Sequence, residues 1–165
     1  MPEWTEIQIL DGPRLRMVAS ERGIRAIDFH LNWPVQGLER NDGNGLLREA
    51  ARQLEAYFVG DLRRFDLPLD MMGTAFQKRV WDELLQIPYG ETRSYLQVAI
   101  AVGAAQAVRA VGAANGANPV PIVVPCHRVI GSSGKLTGYG GGLPLKKRLL
   151  QLEGVVAGRL WHAEP

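Results

Sequence analysis

The sequence has one cysteine, Cys126, in 165 residues. No intramolecular disulfide can form. With only three histidines beside that thiol, a four-ligand structural zinc site would need carboxylates to complete it. Neither a metal nor any other cofactor is expected. No apolar run approaches the roughly 20 residues of a membrane span. The N-terminus, MPEWTEIQILDG, lacks the basic start and apolar stretch of a signal peptide. The chain therefore reads as a cytoplasmic protein with a reduced thiol and no membrane partner. A composition of 46% hydrophobic and 22% charged residues excludes a disordered chain.

Carboxylates are absent from one long stretch. The net charge is only +2, but residues 1–74 carry 9 Lys/Arg against 12 Asp/Glu, and residues 75–165 carry 10 against 5. Between Glu91 and Glu153 lie 61 residues with no Asp or Glu and seven cations, from Arg93 to Arg148. At the average acid frequency of the chain that stretch would hold about six carboxylates. A surface without them suits a polyanion such as DNA; an Ala/Gly-rich stretch merely poor in charge is the plainer alternative.

What is present divides at about residue 72. Trp4–Leu10, Leu15–Ala19 and Ile24–Phe29 read as short strands joined by the tight turns Asp11-Gly12 and Glu21-Arg22-Gly23, an antiparallel meander. Residues 30–45 read as a loop, and Leu46–Phe58 as an amphipathic helix. Pro68 makes Arg64–Asp70 an edge strand or extended linker. Thr74-Ala-Phe-Gln77 and Ser94-Tyr-Leu-Gln97 are two helix-opening capping boxes. The first helix should run to about Gln86 and bury Phe76, Val80, Leu84 and Ile87. The second should run to Val102, turn at Gly103, and be followed by an alanine-rich helix over Ala104–Asn115, a helix-turn-helix. Leu143–Glu153 reads as a closing helix with Lys146, Lys147 and Arg148 exposed; Gly154–Pro165 is weakly specified. The expectation is an α+β chain: a three-stranded antiparallel sheet with a helix over 1–72, and a mostly α domain with a helix-turn-helix over 73–165.

A lone buried cysteine is most often a packing residue. Three features of Cys126 point further. His127 follows it, Arg128 and Lys135 add cations that favour a thiolate, and it sits between a proline-bracketed apolar segment, Pro119–Pro125, and a glycine-rich loop. That is a nucleophile's setting, with His127 as base and a carboxylate to orient it. Glu153 is the next carboxylate along the chain, and a charge kept there needs a partner.

Pro125-Cys-His-Arg-Val129 resembles the acceptor motif of the O6-alkylguanine-DNA alkyltransferases. Ser94-Tyr95, Arg109-Ala-Val-Gly112, Asn118-Pro119, the loop Tyr139–Gly142 and Leu152-Glu-Gly154 follow that family's order and spacing. The resemblance is strong over about 74–154 and implies a ribonuclease H-like fold for the N-terminal part. It implies that Cys126 takes an alkyl group irreversibly from O6 of guanine, and from O4 of thymine, in double-stranded DNA. His127 would deprotonate Cys126 through a water, and Glu153 would set the tautomer of His127. Asn118 would brace the turn, and Tyr95 would donate to guanine N3. Val129, Tyr139, Gly140 and Gly141 would read the base. Arg109 would enter the base stack from the minor groove, with Ala104, Gln77, Ser132 and Tyr95 as further DNA contacts. A monomer is implied. Leu96 and Gly140 depart from the common pattern, bearing on one DNA contact and on O6 recognition. A non-catalytic binder of alkylated DNA, a cysteine hydrolase and a helix-turn-helix regulator are the competing readings; the presence of Cys126 disfavours the first, and no dimer-forming apolar face supports the last.

Overall fold

The computed structural model describes residues 1–155 and divides into two compact units, the first Met1–Met72 and the second beginning at Gly73. The weakly specified tail beyond Val155 lies outside the described residues.

In the first unit, β1 (Glu3–Gln8), β2 (Arg14–Ala19) and β3 (Ile24–Asp28) form the expected antiparallel meander, with Thr5 opposite Met17 and Val18 opposite Ala26. The sheet has one strand more than the sequence suggests. The pair Glu39–Arg40, β4, lies parallel to β1 and gives the order β3-β2-β1-β4. Polar contacts hold it there: the Arg16 and Arg40 guanidinium groups lie over the Trp4 ring at 5.0 and 5.2 Å from its centre, and the Thr5 hydroxyl donates to Asp42 at 2.6 Å. Two polar residues carry no alternation of apolar side chains, so periodicity cannot reveal this strand.

Helix α1 (Gly45–Phe58) starts where Asn44 accepts from the Leu47 amide. It buries Leu47, Ala50, Leu54 and Tyr57 against β1 and β2. The buried Gln53 amide donates to the Asp66 carbonyl and accepts from the Asp66 amide, so one side chain pins the following linker. Leu69 then bridges to Ile24, an edge addition consistent with Pro68.

The second unit begins with α2 (Ala75–Leu84), opened by the Thr74–Gln77 capping box. It buries Val80, Trp81 and Leu84; Phe76 is only half-buried, with Arg79 over its ring, and Ile87 is buried in the turn beyond the helix. Trp81 is the residue missed, its indole N–H donating to the Ala114 carbonyl at 2.8 Å and tying α2 to the later helix. The Ser94–Gln97 box opens α3 (Tyr95–Ala101), and Gly103 takes the left-handed conformation that ends it. Helix α4 is Val108–Gly116; Ala104–Ala107 form turns before it, so the helix starts four residues later than expected. Arg93–Ser94 (β5) pairs in parallel with Val129–Ile130 (β6), joining the start of the helix-turn-helix to the segment after Cys126. Helix α5 (Leu143–Leu152) closes the unit, with Leu150 packed on Ile130 and Leu136.

Gly23 sits where a side chain cannot, since a Cβ there would come within 2.6 Å of the Pro68 carbonyl group. Gly23→Ala is expected to lower stability by about 1–3 kcal/mol through forced displacement of the linker, read as a lower urea midpoint.

Candidate active site

The chain reaches Cys126 through a segment that is buried throughout, residues 119–125. Asn118 holds it: its side-chain amide donates to the Val124 carbonyl at 2.8 Å, and its oxygen accepts from the Val120 amide at 3.0 Å. Within this clamp Ile122 has φ of 72°, a conformation a β-branched residue rarely adopts. Such a residue costs on the order of 1–3 kcal/mol and persists because its surroundings over-determine it. The Pro121–Val124 bridge and the buried apolar side chains of Val120, Val123 and Val124 provide that constraint. Cys126, His127 and Arg128 then form one turn of 3-10 helix, all buried, leading into β6.

Glu153, at the end of α5, organises this turn. Its Oε1 accepts from Arg128 Nε at 2.8 Å, and its Oε2 accepts from Arg128 Nη2 at 3.0 Å and from His127 Nε2 at 2.7 Å. The Gly90 amide adds a longer contact to Oε1 at 3.3 Å. Burial alone would raise the Glu153 carboxyl; the hydrogen bonds from His127 and Arg128 outweigh it and hold the group at about 2. Arg128 also donates to the Ile87 carbonyl at 2.7 Å, and the Tyr89 hydroxyl donates to the Leu152 carbonyl. Pro88-Tyr89-Gly90, legible in the sequence only as a helix stop, therefore docks the end of α5. Gly90 is left-handed and too close to the Glu153 backbone to carry a side chain.

Burial lowers the His127 pKa despite Glu153, which keeps the ring neutral. A neutral ring that donates from Nε2 has its lone pair on Nδ1. Nδ1 is buried and has no hydrogen-bond partner.

Two electrostatic expectations need correction. Arg128 is committed to Glu153 and Lys135 is exposed, so neither is the cation beside the thiol. That cation is Lys146, which is fully buried rather than exposed. Its ammonium donates to the Val129 carbonyl at 2.7 Å and the Thr137 carbonyl at 3.3 Å. Burial pulls Lys146 down to about 8, while Cys126 acts in the opposite direction. Burial pushes the Cys126 thiol up to about 11, against the opposing pull of the Asn118 side chain and the Lys146 charge. The signal for Lys146 was its spacing: positions 146, 149, 150 and 153 share one face of α5, and Leu149, Leu150 and Glu153 are all buried.

Around this centre, Val129 is buried in β6, Tyr139 and Gly141 are half-buried, and Gly140 is exposed with open space where a side chain would be. The Tyr95 hydroxyl is hydrogen-bonded to the Thr137 hydroxyl at 2.7 Å. Arg109 is exposed on α4, along with Ala110 and Ala113. Ala104 belongs to the turn ahead of that helix, Ser132 is exposed in a turn, and Gln77 is half-buried with its side-chain oxygen occupied by the Thr74 amide. Among the described residues no group of three His, Cys, Asp or Glu could hold a metal ion, and no helix is long and apolar enough to cross a membrane.

Known proteins agree over both units. Residues 14–71 match the ribonuclease-like domain, and residues 75–155 the DNA binding domain, of 6-O-methylguanine DNA methyltransferase. A methylated-DNA–protein-cysteine methyltransferase of Methanosarcina barkeri is 51% identical over 147 residues, 86% of this chain and 90% of that protein. The Mycobacterium bovis protein of the same name is 62% identical over 109 residues, 66% of each chain. The crystal structure of Mycobacterium tuberculosis OGT in complex with DNA superposes with a TM-score of 0.81 and 46% identity, covering 92% of this chain and 91% of that one.

Removing the Glu153 charge should expose its role. Glu153→Gln leaves Arg128 buried without a counter-charge and is expected to cost about 3–5 kcal/mol in urea unfolding. The pH dependence follows from the folded carboxyl lying below its unfolded value. Its stabilisation is complete above about pH 4.3 and is lost as pH falls toward about 2. His127, buried and neutral, adds acid sensitivity from about pH 6.5 downward, because the unfolded chain takes up its proton more readily. Stability of the Gln variant should fall less steeply than wild type below about pH 4.

Proposed function

The chain belongs to the 6-O-methylguanine DNA methyltransferase family, and from that premise we propose how its own residues carry out the transfer of an alkyl group from guanine O6 in DNA to Cys126. The observation that carries this reading is the unpartnered, buried Nδ1 of a neutral His127, next in the chain to the only thiol. A water bound between them takes the thiol proton toward Nδ1. Nε2–H and the Glu153 carboxylate stabilise the imidazolium that results. The thiolate attacks the alkyl carbon in line with the C–O6 bond. A carbon–sulfur bond forms, the C–O6 bond breaks, and its electron pair stays on guanine, spread over O6 and the ring nitrogens. The Tyr95 hydroxyl donates to N3 as this charge develops, and the proton that left Cys126 passes from the imidazolium back through water to guanine N1, which restores neutral guanine and neutral His127.

O6 is out of reach inside a stacked duplex, so the nucleotide must be flipped out. Arg109, exposed on α4 beside small alanines, suits insertion into the gap from the minor groove, where bulk is excluded. Val129, Tyr139, Gly140 and Gly141 border the base, and Ala104, Gln77 and Ser132 contact the backbone. The acid-free stretch supplies phosphate affinity independent of sequence. Thymine alkylated at O4 offers the same chemistry. The donor is the lesion and the acceptor is the protein's own side chain, so this reading calls for no cofactor. It fits a monomer working in the cytoplasm, where one thiol stays reduced.

Because a thioether is not hydrolysed, each molecule acts once. Incubation with DNA containing O6-methylguanine should add one methyl group per chain, located on the Cys126 peptide by mass spectrometry, with the yield limited by protein. Cys126→Ala should bind the same DNA and transfer nothing. Repeated turnover of an ester or amide without lasting modification, or a Cys126 peptide that never gains mass, would overturn the reading.

A further inference from the structure

Among the described residues the Tyr95 and Thr137 hydroxyls, 2.7 Å apart, have only each other as hydrogen-bond partners. Two hydroxyls carry two protons, and the bond between them uses one. One proton of the pair therefore remains to be given to something else. Both side chains are half-buried, and the rest of each is held. Tyr95 is the first residue of α3, behind the Ser94–Gln97 capping box. Its ring lies against Gly112 of α4, where a Cβ would stand 3.9 Å from the Tyr95 Cδ1. Thr137 follows Leu136, which packs on Ile130 and Leu150. The turn before it is closed by the Gly131 amide donating to the Lys135 carbonyl at 2.9 Å. What stays free to change is which oxygen donates, because a hydroxyl proton rotates to suit its partners.

We propose that Thr137 is a positioning residue of the transfer reaction, its hydroxyl donating to the Tyr95 oxygen while Tyr95 gives its own proton to guanine N3. This rests on the alkyl-transfer reading above. In the resting pair the phenol is the more acidic group and the better donor. Guanine N3 is a stronger acceptor than an alcohol oxygen, and it strengthens as the C–O6 electron pair spreads over the ring. The phenolic O–H then turns to N3, and the Thr137 O–H turns onto the phenolic oxygen. Both protons stay on their own oxygens, so no covalent bond changes in this step. A hydrogen bond received by the phenolic oxygen polarises the one it gives, strengthening it by roughly 10–30%. The same bond fixes the direction in which the Tyr95 O–H points. Thr137 acts through Tyr95 and needs no contact with the alkyl carbon.

The test separates the hydroxyl from the packing of the loop. Thr137→Val keeps the shape and removes the O–H; Thr137→Ser keeps the O–H. Single-turnover transfer is followed by mass on two DNAs, one with O6-methylguanine and one with O6-methyl-3-deazaguanine, which has C–H in place of N3. On O6-methylguanine the Val variant should react roughly fivefold more slowly than wild type, and the Ser variant should restore the rate. On the 3-deaza substrate wild type and the Val variant should react alike, because the acceptor that Thr137 serves is gone. A loop merely loosened by the substitution would slow both substrates equally. Combined with Tyr95→Phe, the Val substitution should add no further loss on O6-methylguanine, the coupling expected of two groups acting as one. A Val variant as fast as wild type, a Val loss undiminished on the 3-deaza substrate, or a Ser variant as slow as Val would overturn the proposal. Should the Val variant not fold, Thr137→Ala is put through the same comparison of substrates, with the same outcomes deciding. Wild type that gains no methyl from either DNA overturns the alkyl-transfer reading and this role with it. Wild type and Tyr95→Phe that differ as expected, beside a Val variant that matches wild type, overturn this role alone.

Discussion

One buried carboxylate holds the active centre in place. Glu153 divides two oxygens among Arg128, His127 and the Gly90 amide, and each bond fixes a different piece of chain. Through Arg128 it anchors the turn to the Ile87 carbonyl; through Gly90 it docks the loop after α2; through His127 it chooses which ring nitrogen keeps the proton. A buried charge is tolerated only when paired and hydrogen-bonded. The 61-residue stretch without acids therefore ends at the one carboxylate that the second unit could not replace by an apolar residue without orphaning Arg128.

The backbone around the thiol depends on that frame. The left-handed Ile122 would relax if its segment were free, but Asn118 grips both sides of it. On the far side, pairing of Arg93 with Val129 and of Ser94 with Ile130 registers Tyr95 to the strand that follows Cys126. That pairing joins the helix-turn-helix to the acceptor turn, so the two are held in fixed register.

Much of this was legible in the sequence. The two capping boxes, the three-stranded meander and the amphipathic helix expected over Leu46–Phe58 follow local rules, and the helix forms over Gly45–Phe58, one residue from that expectation. The pairing of His127 with Glu153 could be anticipated because an isolated acid beside a long acid-free stretch demands a partner. The misses share a cause. Strand β4 depends on Trp4 and Asp42, the identity of the cation near sulfur depends on which face of α5 is buried, and the late start of α4 depends on turns at Ala104–Ala107. Each is settled by contacts between residues far apart in sequence, which override local preference. Alanine favours helix everywhere, so the alanines of 104–107 carry no mark of where the helix begins.

The burial of Cys126 has a consequence for the protein at rest. A reagent that can be used once is wasted by any stray oxidant or electrophile it meets beforehand. Burial pushes the thiol up to about 11, so the resting sulfur is held as the neutral thiol at pH 7. The same burial that makes the sulfur a poor nucleophile in the idle protein gives it a long shelf life.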